Sequence, residues 1–420
     1  MNSSRAKHQF FINYMFSILK SIGILMSVRI LDALFPAAEM GFLLLFRRQG
    51  VLYGNLLQFG CSQSIQKFYT NEPDAARRFS IWHWLNRLVF IMGCGLAVIL
   101  FFWSDSISSF TLGETSYLTG WSLGLYTIGM ATGYMACSSW LSEFQLTHAN
   151  LVDFANSSLI FISCVLLFHH VNAFHLAFIF GLSTLIISIL SIMHFYAKHL
   201  NTPAVHIPLE PAQKKTMFGF SLSRGVSTFL DNGILTIGPW LLVSQPEEAG
   251  FLTIAYTILR LGQSIIVPGA QVIALRSISY RYQGRDEVKK CMVLAALGLG
   301  ISLLAIGIYQ ISGPGLMHAW LPNSASGVLY YLDALIWFLP GYCVFYAVRN
   351  QIEVSSNIPW NLIIYCASLV AFLVTWHFRG ADNREAVLYG SEAMLSTLLV
   401  ASIIALMTFW RETSGDEVPC

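Results

Sequence analysis

Charge is scarce in this 420-residue chain: Asp, Glu, Lys and Arg make up 11% of it, against about 25% in a soluble domain. With 55% hydrophobic residues and a mean hydropathy of +0.60, the polar residues are too few to coat a soluble globule of this size. That excludes a soluble enzyme, and the apolar, aromatic-rich composition excludes a disordered chain. Paired cysteines are missing too. The eight cysteines, at 61, 94, 137, 164, 291, 343, 366 and 420, form no C-x-x-C; they exclude a secreted disulfide scaffold and read as small residues in apolar runs. No G-x-x-x-x-G-K-[ST] and no H-E-x-x-H occurs, so neither route to nucleotide or metal-assisted hydrolysis is encoded. His169, His170 and His175 share one loop, but no carboxylate stands at ligand spacing. They read as interfacial polarity, and no metal, cofactor or catalytic residue is expected. The net charge of +2 gives no reason to expect nucleic acid as a partner.

What is present is a series of apolar runs, each near the roughly 20 residues that a helix needs to cross a bilayer. Twelve are expected: 9–34, 41–66, 81–103, 117–140, 149–170, 174–197, 216–243, 249–275, 288–311, 326–348, 358–377 and 386–410. The fold class is therefore all-α, a polytopic protein whose first partner is the lipid bilayer. The first run is too long for a signal peptide and lacks a small-residue cleavage site. Fifteen Lys and Arg fall in the segments on one side, and only Arg379 and Arg384 on the other. By the positive-inside rule both termini are cytoplasmic. Outer loops are short, the longest near 104–116 and 312–325. Trp103, Trp121, Trp140, Trp240, Trp376 and Trp410 stand at span ends, where an interfacial belt forms. The largest inner segment, 198–215, holds three prolines and three lysines. It reads as a cytoplasmic linker between an N-terminal six-helix lobe, 1–197, and a C-terminal one, 216–420.

The two halves echo each other. Phe16-Ser17-x-x-Lys20 in the first span matches Phe220-Ser221-x-x-Arg224 in the seventh. Pro36-Ala-Ala-Glu39-Met40-Gly41-Phe42-Leu43 opens the second span, and Pro246-Glu-Glu248-Ala-Gly250-Phe251-Leu252 opens the eighth. From Gly41 and Gly250 these spans run in register at an offset of 209, pairing Gly60 with Gly269 and Lys67 with Arg276. Six spans per half make the repeat parallel, with the lobes related by a pseudo-two-fold axis along the membrane normal.

At these residues the chain resembles the multidrug/oligosaccharidyl-lipid/polysaccharide exporter superfamily, and within it the Wzx-type flippases of the polysaccharide transporter branch. That branch has Leu-Gly-Pro-x-x-aromatic-Gly entering span 2; here Leu34-Phe35-Pro36-Ala-Ala-Glu39-Met40-Gly41 has Phe35 for the glycine, Met40 for the aromatic and one added residue. Gly250 to Tyr256, Pro268 and the stretch Ser277 to Gly284 are similar to the second-half pattern. The resemblance covers the whole chain. It implies a transporter rather than an enzyme, in a bacterial inner membrane. It also implies alternating access that moves an undecaprenyl-diphosphate-linked oligosaccharide, such as an O-antigen unit of lipopolysaccharide, to the outer leaflet. A polysaccharide polymerase complex is the implied protein partner.

Charges inside spans carry the chemistry. Lys20, Arg29, Arg47, Arg48, Arg87, Arg224 and Arg260 lie within them, against Asp32, Asp231, Asp333 and Glu392. A central Arg or Lys costs about 2.5–3.5 kcal/mol against lipid, so each must face water, a partner or a ligand. Arg87 is near enough to an end to snorkel. Arg29 and Asp32 stand at i, i+3, a spacing that allows a pair. Arg224 and Asp231 are two turns apart on one face. Arg47 and Arg48, being consecutive, diverge. Lys20, Arg29, Arg47, Arg48, Arg224 and Arg260 are the candidates for a cationic cavity holding a diphosphate, which arginine forks match bidentately; interhelical ion pairing is the structural alternative. Asp231 and Asp333 are the candidates for coupling to a proton or sodium gradient, or else balance an arginine. Glu392 is a weaker candidate. Gly120-x-x-x-Gly124 and Gly129-x-x-x-Gly133 read as close helix packing. Two further readings stay open. One is a drug/cation antiporter of the same superfamily, which calls for an anionic cavity. The other is a membrane glycosyl polymerase or ligase, which calls for a long outer loop.

Overall fold

A computed structural model describes residues 3–113, 116–199, 207–280, 285–355, 360–379 and 383–415. Residues 200–206 of the linker and 281–284 of the second-half motif lie outside the described residues, as do the side chains of Arg276 and Trp410. Every described element is helical, as expected where lipid offers no hydrogen bonds and each backbone group must be satisfied within its own segment.

The described helices assemble into twelve rods. The first four comprise α1 (Ser3–Leu34); α2 (Ala37–Gln58), continued by α3 (Cys61–Ser64) and a π-helical turn, Ile65–Tyr69; α4 (Ala75–Leu112); and α5 (Tyr117–Ser142). The next two are α6 (Leu146–Phe154) joined through a second π-helical turn, Ala155–Leu159, to α7 (Ile160–Phe168); and α8 (Ala173–His199). The second half holds α9 (Pro211–Gly233), followed by the short α10 (Ile237–Leu241); α11 (Pro246–Tyr280); α12 (Arg285–Trp320); α13 (Ala325–Leu335) with α14 (Leu339–Ser355); α15 (Trp360–Phe378); and α16 (Asn383–Gly415). Nine rods are long and apolar enough to cross a membrane on composition alone. The other three are α2, with two consecutive arginines; α5, rich in Gly, Ser and Thr; and α9, whose polar residues nearly balance its apolar ones. Those helices suit protein-facing positions, where polar atoms find partners.

Local chemistry sets several ends. Asp74 caps α4, its carboxylate accepting the Ala76 N–H at 3.0 Å, and Gly113 closes that helix at φ 72°. The expected outer loops 104–116 and 312–325 are corrected here. Helix α4 runs on to Leu112 past a kink at Trp103 (φ −127°, ψ 24°), and α12 runs to Trp320 through Pro314. Low hydropathy in 104–112 ends the apolar run without ending the helix: Ser108 and Thr111 bond back to their own turns at 3.0 and 2.6 Å. Trp140 is corrected too. It is buried, packed between His148 at 4.6 Å and Phe195 at 5.0 Å, and not part of an exposed belt.

By packing, the chain divides into two compact units, residues 22–236 and residues 1–21 with 237–420. The repeat explains why each unit takes a segment of the other half's first rod: α9 in the first unit, and α1 as far as Ser21 in the second, residues 22–34 of α1 staying in the first. In the first unit, Gly60 lies against Ser221 and Gly225 of α9. In the second, its repeat mate Gly269 lies against Tyr14 of α1, and Ser17 Oγ donates to the Ser264 carbonyl at 2.7 Å. The serines shared by the two Phe-Ser-x-x-cation motifs thus both anchor crossing helices: Ser221 Oγ shares a 2.5 Å hydrogen bond with Ser64 Oγ. The glycine spacings in α5 also act as close contacts. A Cβ at Gly120 or Gly124 would strike Ser104 or Leu100 of α4, and one at Gly129 would meet the Leu185 backbone of α8 at 2.8 Å.

Orientation can be checked at sites the fold leaves open. Ser109 is exposed, Gly315 has open space where a Cβ would stand, and Lys215 is exposed at the start of α9. With both termini inside, Ser109→Cys and Gly315→Cys should react with an impermeant thiol reagent added to intact cells, and Lys215→Cys only after permeabilisation. The opposite pattern reverses the topology.

Candidate functional site

The candidate charges separate by unit. Arg29, Arg47, Arg48, Arg224 and Asp231 belong to the first, and Lys20, Arg260, Asp333 and Glu392 to the second.

Two arginines of the first unit have structural work. Arg29 Nη1 lies 3.8 Å from Asp32, whose side chain is fully buried, so the i, i+3 spacing does produce a pair. Arg47 is partly buried, with an aromatic ring over its guanidinium. Its guanidinium carbon stands 4.2 Å from the Phe161 ring centroid, and Tyr126 accepts a hydrogen bond from it. It also donates to the Ser157 carbonyl at 2.6 Å and to Ser27 Oγ at 3.3 Å. Ser157 sits in the Ala155–Leu159 π-helical turn, where the ladder of backbone hydrogen bonds is disturbed. Arg47 therefore serves a backbone carbonyl inside an apolar bundle. Arg48, about 100° round the helix, is partly buried.

Arg224 has a different setting. The second rod breaks at Phe59 and Gly60, with φ of 52° and 72°, and α9 seats on the break. Gln63 Nε2 donates to Thr228 Oγ1 at 3.1 Å beside the Ser64–Ser221 bond. The following π-helical turn carries Lys67, whose Nζ stands 4.2 Å from the Phe220 centroid and 5.7 Å from that of Phe68. Arg224, one turn beyond Phe220, holds its guanidinium carbon 5.2 Å from the same ring. Phe68 meets Phe220 edge-on at 5.6 Å. Asp231, two turns further along this face, is buried at 6% exposure.

In the second unit, Arg260 is partly buried on α11, fourteen residues into the apolar stretch Pro246–Ala270 and ten from its end. One turn on, Gln263 accepts from the Tyr342 hydroxyl at 3.2 Å. That bond opens a polar seam: Tyr342 packs on Tyr346 at 4.7 Å, and Arg349 lies over Tyr346 at 5.4 Å and Tyr365 at 5.7 Å. Lys20 is partly buried one turn past Ser17. Asp333 is exposed on α13 and accepts from the Tyr309 hydroxyl at 2.5 Å. Glu392 is partly buried on α16. The Pro-Glu-Glu motif has a structural use: Glu248 receives Arg384 Nε at 3.0 Å and the Tyr331 hydroxyl at 2.9 Å. Arg384 also lies over Tyr330 at 3.8 Å. One of the two basic residues assigned to the outer face is thereby bound into the protein.

Sequence reasoning placed Lys67 only at a span end. The signal for its role is the Phe220–Arg224 spacing of four, which puts a ring and a cation on one face of α9. Tyr309 and Gln263 carried no comparable signal.

No protein-family model and no curated protein matches the chain. Solved structures do. The chain matches the outward-facing conformation of a multidrug resistance MATE family transporter of the MOP superfamily, with a TM-score of 0.68 at 14% identity over 99% of this chain and 96% of the other. It matches MATE in complex with MaD3S (TM-score 0.64, 14% identity, 96% of each chain) and MATE in the bent conformation (0.63, 14%, 98% and 94%). With identities this low the likeness speaks for architecture alone. The chain is a multi-pass membrane protein with the two-lobed, all-helical fold of MATE-type transporters.

Proposed function

We propose that this protein is a flippase that carries an undecaprenyl-diphosphate-linked oligosaccharide across a bacterial inner membrane by alternating access, both termini being cytoplasmic. The observation that carries the reading is the kind of charge exposed at membrane depth. Lys20, Arg224 and Arg260 are partly exposed cations. Of the in-span acids, Asp32 and Asp231 are buried, the exposed Asp333 accepts from Tyr309, and Glu392 is the one left partly exposed. An anionic headgroup matches that imbalance, since guanidinium forks bind phosphoryl oxygens bidentately and gain strength where water is scarce. Asp231 and Asp333 remain the groups proposed for coupling to a proton or sodium gradient, and a polysaccharide polymerase complex the proposed protein partner.

The MATE fold favours a second reading, export of drugs or other organic cations. The two part in one experiment. Expressed in cells lacking their own flippase, the chain should restore surface polysaccharide and clear lipid-linked repeat units from the inner leaflet. It should leave resistance to ethidium unchanged. Ethidium resistance without restored polysaccharide supports the cation exporter instead.

A further inference from the structure

The rod formed by α13, the 3-10 turn Ile336–Phe338 and α14 keeps an open face of uncommon chemistry. Among its described residues the exposed ones are Ser326, Asp333 and Trp337. With the partly exposed Tyr330 they follow one another at intervals of four, three and four, a single helical stripe. A face turned to lipid carries aliphatic side chains, as α12 does with Leu303, Leu304, Ile308 and Ile311 exposed. This stripe carries a hydroxyl, a phenol, a carboxylate and an indole instead, so it opens on water. Trp337 stands twelve residues from each end of the apolar stretch Ala325–Arg349. Interfacial anchoring places tryptophan at span ends, not at mid-depth. An indole 58% exposed there has an aqueous path or a ligand to face. The 3-10 turn that presents it is a break of the kind that marks functional sites.

We propose that Tyr330, Asp333 and Trp337 form a saccharide-binding subsite. A pyranose ring has an apolar face of C–H groups bounded by hydroxyls. The indole offers a flat apolar surface to the first, and a carboxylate, an acceptor at both oxygens, takes the second. The Tyr309 hydroxyl occupies Oδ1 of Asp333 at 2.5 Å and leaves Oδ2 for a sugar hydroxyl. Tyr330 already holds a cation on its ring, Arg384 at 3.8 Å, which makes that ring a poorer site for a second. A sugar, packing on the indole and bonding at the carboxylate, does not compete with Arg384, and this favours a saccharide over an organic cation. A few placed polar groups among aromatic surfaces is the usual build of a small-ligand site. The subsite deepens the reading of the cargo as a lipid-linked oligosaccharide and rests on it for the identity of that cargo. It gives Asp333 a cargo contact in addition to its proposed part in coupling.

The test is binding to the purified full-length protein in a sugar-free detergent. The probes are the methyl glycosides of glucose, galactose and N-acetylglucosamine and, separately, ethidium. At least one glycoside should bind. Trp337→Leu and Asp333→Ala should each weaken it about tenfold, the size of one aromatic stack or one charge-assisted contact. Trp337→Phe should keep part of the affinity, and ethidium binding should be unmoved by any of the three. Phe378→Leu, at an exposed ring on α15, should change nothing. Failure of all three glycosides to bind, or unaltered affinity in either Trp337→Leu or Asp333→Ala, overturns the subsite. A larger loss for ethidium than for the glycoside overturns it too, in favour of a cation site. Trp337-dependent glycoside binding by a protein that does not restore polysaccharide leaves the subsite standing and removes only the cargo. Restored polysaccharide with Trp337-independent binding does the reverse.

Discussion

Arg260→Ala is expected to abolish transport while leaving the protein in the membrane at its normal level. Arg260 lies deep in an apolar stretch, where a guanidinium costs about 2.5–3.5 kcal/mol to insert. Removing it makes insertion easier, so a loss of activity cannot be blamed on failed insertion. Two charge-assisted contacts to a phosphoryl group contribute roughly 3 kcal/mol or more, so the loss should be on the order of a hundredfold. Arg260→Lys should recover part of it, keeping the charge but not the fork. Accumulation of lipid-linked repeat units in cells without their own flippase reads the effect, with protein level followed by immunoblot. Full complementation by Arg260→Ala at normal abundance shows that the residue does not hold cargo.

The second large effect is on folding. Gly225→Leu should leave little folded protein, because a Cβ at Gly225 already meets the Phe59 carbonyl carbon at 2.7 Å and the Gly60 N at 2.9 Å. Both neighbours are backbone and cannot swing aside. Overpacking of this kind costs about 1–3 kcal/mol even where side chains can adjust. Gly60→Ala should act in the same direction, since Gly60 holds φ at 72° and that region costs an L-residue about 1–2 kcal/mol. Gly219→Ala on the same helix, with open space around it, is the control. Size-exclusion profiles and melting in detergent report the outcome. A normal melting temperature for Gly225→Leu means that α9 does not seat on the break.

The sequence shows most clearly what lipid dictates. Twelve apolar runs correspond to the twelve rods, and the register from Gly41 to Gly60 against Gly250 to Gly269 anticipates two crossing contacts of the same kind. The break at Phe59–Gly60 was hidden because Leu56, Leu57, Phe59 and Cys61 keep the run apolar across it, and hydropathy does not sense φ. The helical ends at 104–112 and 312–320 were hidden for the opposite reason, polarity falling inside a helix. At the site, depth along the spans was legible and partners were not. Nothing in the local sequence of Arg47 points to Ser157, which is 110 residues away, and Lys67 meets Phe220 only because a π-helical turn and a helix from the other half converge. Asp32 and Arg29, three apart on one helix, were within reach of sequence reasoning.

The most direct measurement follows cargo across a membrane. The purified protein is reconstituted into vesicles containing a fluorescent prenyl-diphosphate-linked oligosaccharide, and a membrane-impermeant quencher is added. If the protein is a lipid-diphosphate flippase, the inner-leaflet fluorescence becomes quenchable in vesicles with wild-type protein and stays protected with Arg260→Ala. Protection that persists with wild-type protein, in vesicles that accumulate ethidium against an imposed proton or sodium gradient, contradicts the flippase and identifies a cation exporter.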